Sequence, residues 1–113
     1  MLIDRISKLE FAFKLNEKSL IMIHFFKQKP FGIYMLIIIM KKFYLGKYFE
    51  KEKLKDLIFT SSRTTISNFI SEAIDKKILI LSKPENDKRK RILKPSDQLI
   101  DEFEEWVNIV SNK

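Results

Sequence analysis

The chain predicts a single, mainly α-helical domain with one small β-hairpin, and three observations carry that expectation. Its 113 residues are enough for one modest core and too few for two. Apolar residues recur at helical spacing through most of the chain. The one departure is a short apolar run, Ile78 to Leu81, separated from Arg91 to Leu93 by SKPENDKRK, whose Pro, Asn and Asp favour a turn.

Leu2, Ile6, Leu9, Phe13, Leu20 and Ile23 stand at spacings of three and four, with Asn16 where the next apolar residue is due, and read as one amphipathic helix. Pro30 ends it or lies in the following turn, because proline has no amide for a continuing helix to donate. Residues 1–30 form this first unit, an expected dimerisation segment. A core helix over 31–44 follows, and Gly46 supplies its stop. A short charged helix over 50–58 places Leu54, Leu57 and Ile58 inward. Ser61 or Ser62 then caps a helix over 62–77 with an apolar stripe of Ile66, Phe69, Ile70, Ala73 and Ile74. After the hairpin, Pro95 breaks the strand and Ser96 caps a last helix in residues 97–113. Its Leu99, Phe103, Trp106 and Val110 form a second expected dimerisation stripe, while Asp97, Asp101, Glu102, Glu104 and Glu105 are expected to face solvent.

The formal net charge is +7, with 45% apolar residues and no cysteine. A folded chain with an anionic partner is expected, without disulfides or thiolate chemistry. Asp4 and Glu10 interrupt any secretory signal. The most apolar run, Gly32 to Met40, is nine residues long against the roughly 20 a membrane span needs. No membrane partner is expected, and the location expected is cytoplasmic. With two glycines, a lone His24 on an expected apolar face and no nucleophile setting, no enzyme activity, metal or cofactor is expected. No residue pattern identifies a small-molecule effector. Tyr34, Tyr44, Tyr48 and Trp106 read as core or interface residues.

Two helices joined by the tight turn FTSS, followed by a hairpin, make a winged helix-turn-helix core over 31–96, with flanking N- and C-terminal helices. Small hydroxyl and amide side chains at the start of its second helix suit close approach to base edges and phosphates in a DNA major groove. Ser62, Arg63, Thr64, Thr65, Ser67 and Asn68 are those residues. The wing, over 82–91, carries Lys83, Lys88, Arg89, Lys90 and Arg91, cations for the DNA backbone or the minor groove. Residues 61–96 hold nine Lys or Arg against four Asp or Glu, whereas residues 97–113 hold one against five, so the last helix should face away from DNA.

The stretch SSRTTISNFISEAIDKKILI, with ENDKRKRILKPS after it, resembles the winged-helix regulators of the multiple-antibiotic-resistance regulator (MarR) family, over residues 49 to 100. In that family a Ser/Thr-rich recognition helix leads into an Asp-x-Arg wing, and the resemblance implies that Asp87 orients Arg89 toward DNA. One helix fits after the wing where the family usually has two. The expected function is a dimeric, duplex-DNA-binding transcriptional repressor. The alternative is a winged-helix scaffold for protein partners that does not bind DNA specifically.

Overall fold

In a computed structural model, residues 2–58, 61–84 and 89–111 are described, with backbone alone for 11–19. Among the described residues six helices accompany a small antiparallel sheet: α1 (Leu2–Ser19), α2 (Ile21–Phe26), α3 (Gly32–Tyr44), α4 (Lys51–Asp56), α5 (Arg63–Asp75) and α6 (Asp97–Ser111). The strands are β1 (Phe49–Glu50), β2 (Leu79–Ser82) and β3 (Ile92–Pro95), in the spatial order β1-β3-β2. Among the described residues no helix is long and apolar enough to cross a membrane.

The expected single N-terminal helix is two helices, broken at Leu20 (φ −112°, ψ 69°), whose side chain is fully buried. The reason lies on α6. Glu102, expected to face solvent, is only 7% exposed, and its Oε1 accepts the amides of Met22 (2.8 Å) and Ile23 (3.4 Å) in the first turn of α2. Its Oε2 accepts from Gln98 Nε2 at 2.9 Å. A carboxylate from a distant part of the chain therefore caps a helix whose own N-cap residue, leucine, has no side-chain acceptor. Glu102→Ala should cost about 1–3 kcal/mol in urea denaturation, because one buried and one part-buried amide lose their acceptor. Glu102→Gln, which keeps an acceptor, should lose less than half of that.

Two helix ends are closed the same way. At the end of α3, Gly46 (φ 79°) donates to Phe43 O at 2.9 Å and Lys47 to Lys42 O at 3.0 Å, the paired bonds of a Schellman motif. At the end of α5, Lys77 (φ 62°) donates to Ile74 O at 3.0 Å and Ile78 to Ala73 O at 2.9 Å. A lysine thus occupies the left-handed position that glycine takes at Gly46. Lys77→Gly should raise stability by about 0.5–1 kcal/mol, read as a higher urea midpoint at an unchanged slope, because relieved backbone strain outweighs the added freedom of the unfolded chain.

The sheet has one more strand than the expected hairpin. Phe49 pairs with Leu93 and Glu50 with Ile92, and the Lys51 amide donates to Arg91 O at 2.9 Å. On the other side of β3, Leu79 faces Pro95 and Ser82 faces Ile92. Pro95, expected to break the strand, is its last residue. The Ser96 amide donates to Ile78 O at 3.0 Å, so the neighbouring Leu79–Pro95 pair is the non-bonded kind, and β1 does not reach Pro95 on the other side. The missing proline amide therefore leaves no ladder bond unmade. Ser96 Oγ accepts the Leu99 amide at 3.2 Å and caps α6 as expected.

The core lies between α2, α3, α5 and the sheet. Phe69 of α5 stacks on Phe25 (centroids 4.6 Å apart) and meets Phe31 (5.2 Å) and Phe26 (5.8 Å) edge-on. This aromatic cluster fixes α5 against α2 and the turn containing Pro30. The stripe of α6 is largely covered within the chain: Leu99 and Trp106 are buried, and α6 packs on α1 and α2. On α1, by contrast, Leu2, Ile3, Ile6 and Leu9 are exposed.

Candidate nucleic-acid interface

Helix α5 has two faces. Ile66, Phe69, Ile70 and Ala73 are buried, which leaves Thr64, Asn68 and Ser71, one turn apart, on the exposed side. Ser71 shares that face but falls beyond the first turn, the part of the helix expected from the sequence to meet DNA. Ser62 is the N-cap: its Oγ accepts the Thr65 amide at 3.2 Å and donates to Thr65 Oγ1 at 2.9 Å. Thr65 and Ser67 are half-buried, so of the small polar residues expected to contact DNA, Ser62, Thr64 and Asn68 are the most open.

Arg63 also lies on the surface, and its guanidinium turns back on α4. It donates to Glu52 Oε2 at 2.9 Å and to Asp56 Oδ1. Glu52 and Asp56 stand four residues apart on one side of α4, a spacing visible in the sequence that marked an acceptor pair for the next helix. The hydrogen bond from Lys55, with that from Arg63, holds the Glu52 carboxyl below its ordinary value. The hydrogen bond to Asp56, followed by that to Glu52, raises Arg63 further above its already high one. All three groups are exposed, so this cluster orients side chains more than it stabilises the fold.

The hairpin supplies the second set of cations. Lys83, Arg89 and Lys90 are exposed and Arg91 is half-buried, while Asp87 and Lys88 lie outside the described residues. Glu50 sits at the hairpin's base, 2.9 Å from Lys53 Nζ and 3.9 Å from Lys90 Nζ, and Arg91 donates to Lys90 O at 3.2 Å. An open cleft of about 460 Å³ separates this base from α4, lined by Lys51, Glu52, Lys53, Leu81 and the run Arg89 to Arg91 together with Glu50. Glu52 thus borders the cleft with the hairpin cations and bonds Arg63 at the start of α5. Glu52 of α4 is therefore a neighbour both of the N-terminus of α5 and of the basic side of the hairpin.

The acidic side chains of α6 lie elsewhere. Asp97, Asp101, Glu104 and Glu105 are exposed, and Glu104 accepts the Tyr44 hydroxyl at 2.7 Å. Desolvation, that hydrogen bond and the nearby carboxylates of Glu104 and Asp101 push the Tyr44 pKa up to about 12. His24, expected on an apolar face, is exposed instead, because α2 turns its buried side through Ile23, Phe25 and Phe26. Among the described residues no group of three or more His, Asp or Glu is placed to hold a metal ion. No family model, no curated protein and no solved structure matches the chain.

Proposed function

We propose that the chain is a winged helix-turn-helix protein, similar in kind to the MarR regulators, that binds duplex DNA as a homodimer and represses transcription. In this reading α4 and α5 are the helix-turn-helix, α5 enters the major groove with Ser62, Thr64 and Asn68 leading, and the hairpin is the wing. The observation that carries the reading is a shared neighbour: Glu52 contacts Arg63 and borders the cleft lined by Arg89, Lys90 and Arg91. A recognition helix and a wing must address one duplex from one side. The net charge of +7 favours a polyanion, and the acidic outer face of α6 suits a surface turned away from it. The uncovered Leu2, Ile3, Ile6 and Leu9 of α1 support a two-fold dimer built on that helix.

A second reading, a winged-helix scaffold for protein partners, is favoured by the carboxylates of Glu52 and Asp56, which occupy Arg63 and place negative charge beside the start of α5. An electrophoretic shift assay on duplex DNA separates the two. The full chain should retard duplexes at about 50 mM salt and prefer inverted repeats with half-sites about 10 base pairs between centres. Asn68→Ala should reorder the sequence preference by about 1–3 kcal/mol while leaving non-specific affinity in place. Equal loss on every sequence would assign Asn68 to phosphates, and no retardation at all would leave the scaffold.

A further inference from the structure

Helix α3 is packed on the core along one side and open along another. Tyr34, Ile38, Lys41 and Leu45 follow one another at spacings of four, three and four, so they share a single face. That face, with Phe49 of β1 and Leu57 after α4, encloses a groove of about 360 Å³. Ile38 and Phe49 are half-buried and form its floor, while Tyr34 (55% exposed), Leu45 (68%) and Leu57 (40%) form apolar walls. Each charged residue lining it is a lysine: Lys41, Lys42 and Lys47. Lys42 Nζ stands 4.2 Å from the centre of the Phe49 ring, which fixes that charge at the floor, and Lys41 and Lys47 are exposed at the rim.

We propose that this groove docks an acidic amphipathic helix of another protein, with its apolar ridge between Tyr34, Leu45 and Leu57 and its carboxylates against Lys41 and Lys47. Grooves of this kind take helices whose anchors repeat at i, i+4 and i+7, and a rim of one sign selects flanks of the other. A second copy of the chain offers the apolar spacing, in Leu2, Ile6 and Leu9 of α1, but among the described residues not the acidic flanks. The exposed apolar residues of α1 are accompanied by Asp4, Arg5, Lys8 and Glu10, which balance, and on the acidic α6 Val107 is the one large apolar side chain exposed among the described residues. A lipid surface is a poorer match, because the apolar side chains line a groove with Ile38 and Phe49 recessed at its floor, a shape that receives a ridge and leaves only its walls to insert. The docking surface stands apart from the DNA-binding reading and holds whether or not the chain binds DNA.

The test is fluorescence anisotropy of the full chain with a labelled helical peptide of about 16 residues, leucines at i, i+4, i+7 and i+11 and glutamates on both flanks, and with a twin whose glutamates are lysines. The acidic peptide should bind at micromolar concentration and the twin at least about tenfold more weakly. Leu45→Ser, and separately Lys41→Glu with Lys47→Glu, should each weaken the acidic peptide about tenfold or more. These side chains are exposed, so circular dichroism should be unchanged. Equal binding of the two peptides, no binding below about 1 mM, or an unchanged affinity in Leu45→Ser would overturn the proposal. So would self-association that Leu45→Ser abolishes, which makes a second copy the occupant, or binding to phosphatidylcholine–phosphatidylglycerol vesicles that Leu45→Ser abolishes, which makes it a lipid surface.

Discussion

Gly32→Ala should cost the fold about 4 kcal/mol, a large fraction of the 5–15 kcal/mol that holds a domain together. A Cβ on Gly32 would stand 1.7 Å from Phe26 O and 2.7 Å from Phe26 C. Both atoms are backbone, so no rotamer change relieves the overlap, and the end of α2 must move away from the start of α3. That movement carries Phe25 and Phe26 with it, and both rings contact Phe69 of α5. The damage should therefore reach the exposed face of α5 and not stay at the mutated turn. Urea denaturation followed by tryptophan fluorescence checks it, and a variant with wild-type stability would show that α2 and α3 are not held as closely as their backbones indicate.

Replacing Lys88, Arg89, Lys90 and Arg91 together with Ala should lower affinity for every duplex by about 100-fold or more at about 50 mM salt, and should make the log–log salt dependence shallower by about three units. The ceiling for four phosphate contacts is about 0.9 each. The expected change is smaller, because Lys90 already lies 3.9 Å from Glu50 and keeps part of its charge for the protein. Sequence preference should survive, since phosphate contacts position the protein and base contacts choose the site. Affinity measured by anisotropy at several salt concentrations gives both numbers. An unchanged slope would remove the hairpin from the interface.

How much of this was legible in the sequence depended on how far apart the cooperating residues lie. The helices α3, α5 and α6 and the hairpin strands follow from periodicity, and the Ser62 and Ser96 caps follow from their place before a helical stripe. The break at Leu20 does not, because the group that stabilises it is Glu102, 80 residues from the amide it accepts, and the α1 heptad runs into α2 with only Asn16 out of pattern. The same contact explains why one of five acidic residues on α6 is buried while the pattern placed them all in solvent. Strand β1 is two residues long and merges into a helix, which is too short for any period to register. At the candidate interface the outward hydroxyls were legible, whereas the turning of Arg63 onto α4 required contacts 7 and 11 residues back in the chain. Exposure of Tyr34, Tyr44 and Tyr48, which the sequence read as core or interface residues, follows from α3 being packed on one side only and from Tyr48 preceding the edge strand.

In the proposed function the start of α5 and the basic hairpin meet duplex DNA together. Titration of the isotope-labelled protein with a short duplex, followed by amide chemical shifts, tests it residue by residue. The largest changes should fall on Ser62 to Asn68, Ser71, Lys83 and Arg89 to Arg91, with Asp101 and Glu105 of α6, Lys41 of α3 and Lys47 after it unmoved. Changes concentrated on α6 or around Lys41 and Lys47, or a spectrum that does not respond to DNA, would contradict it.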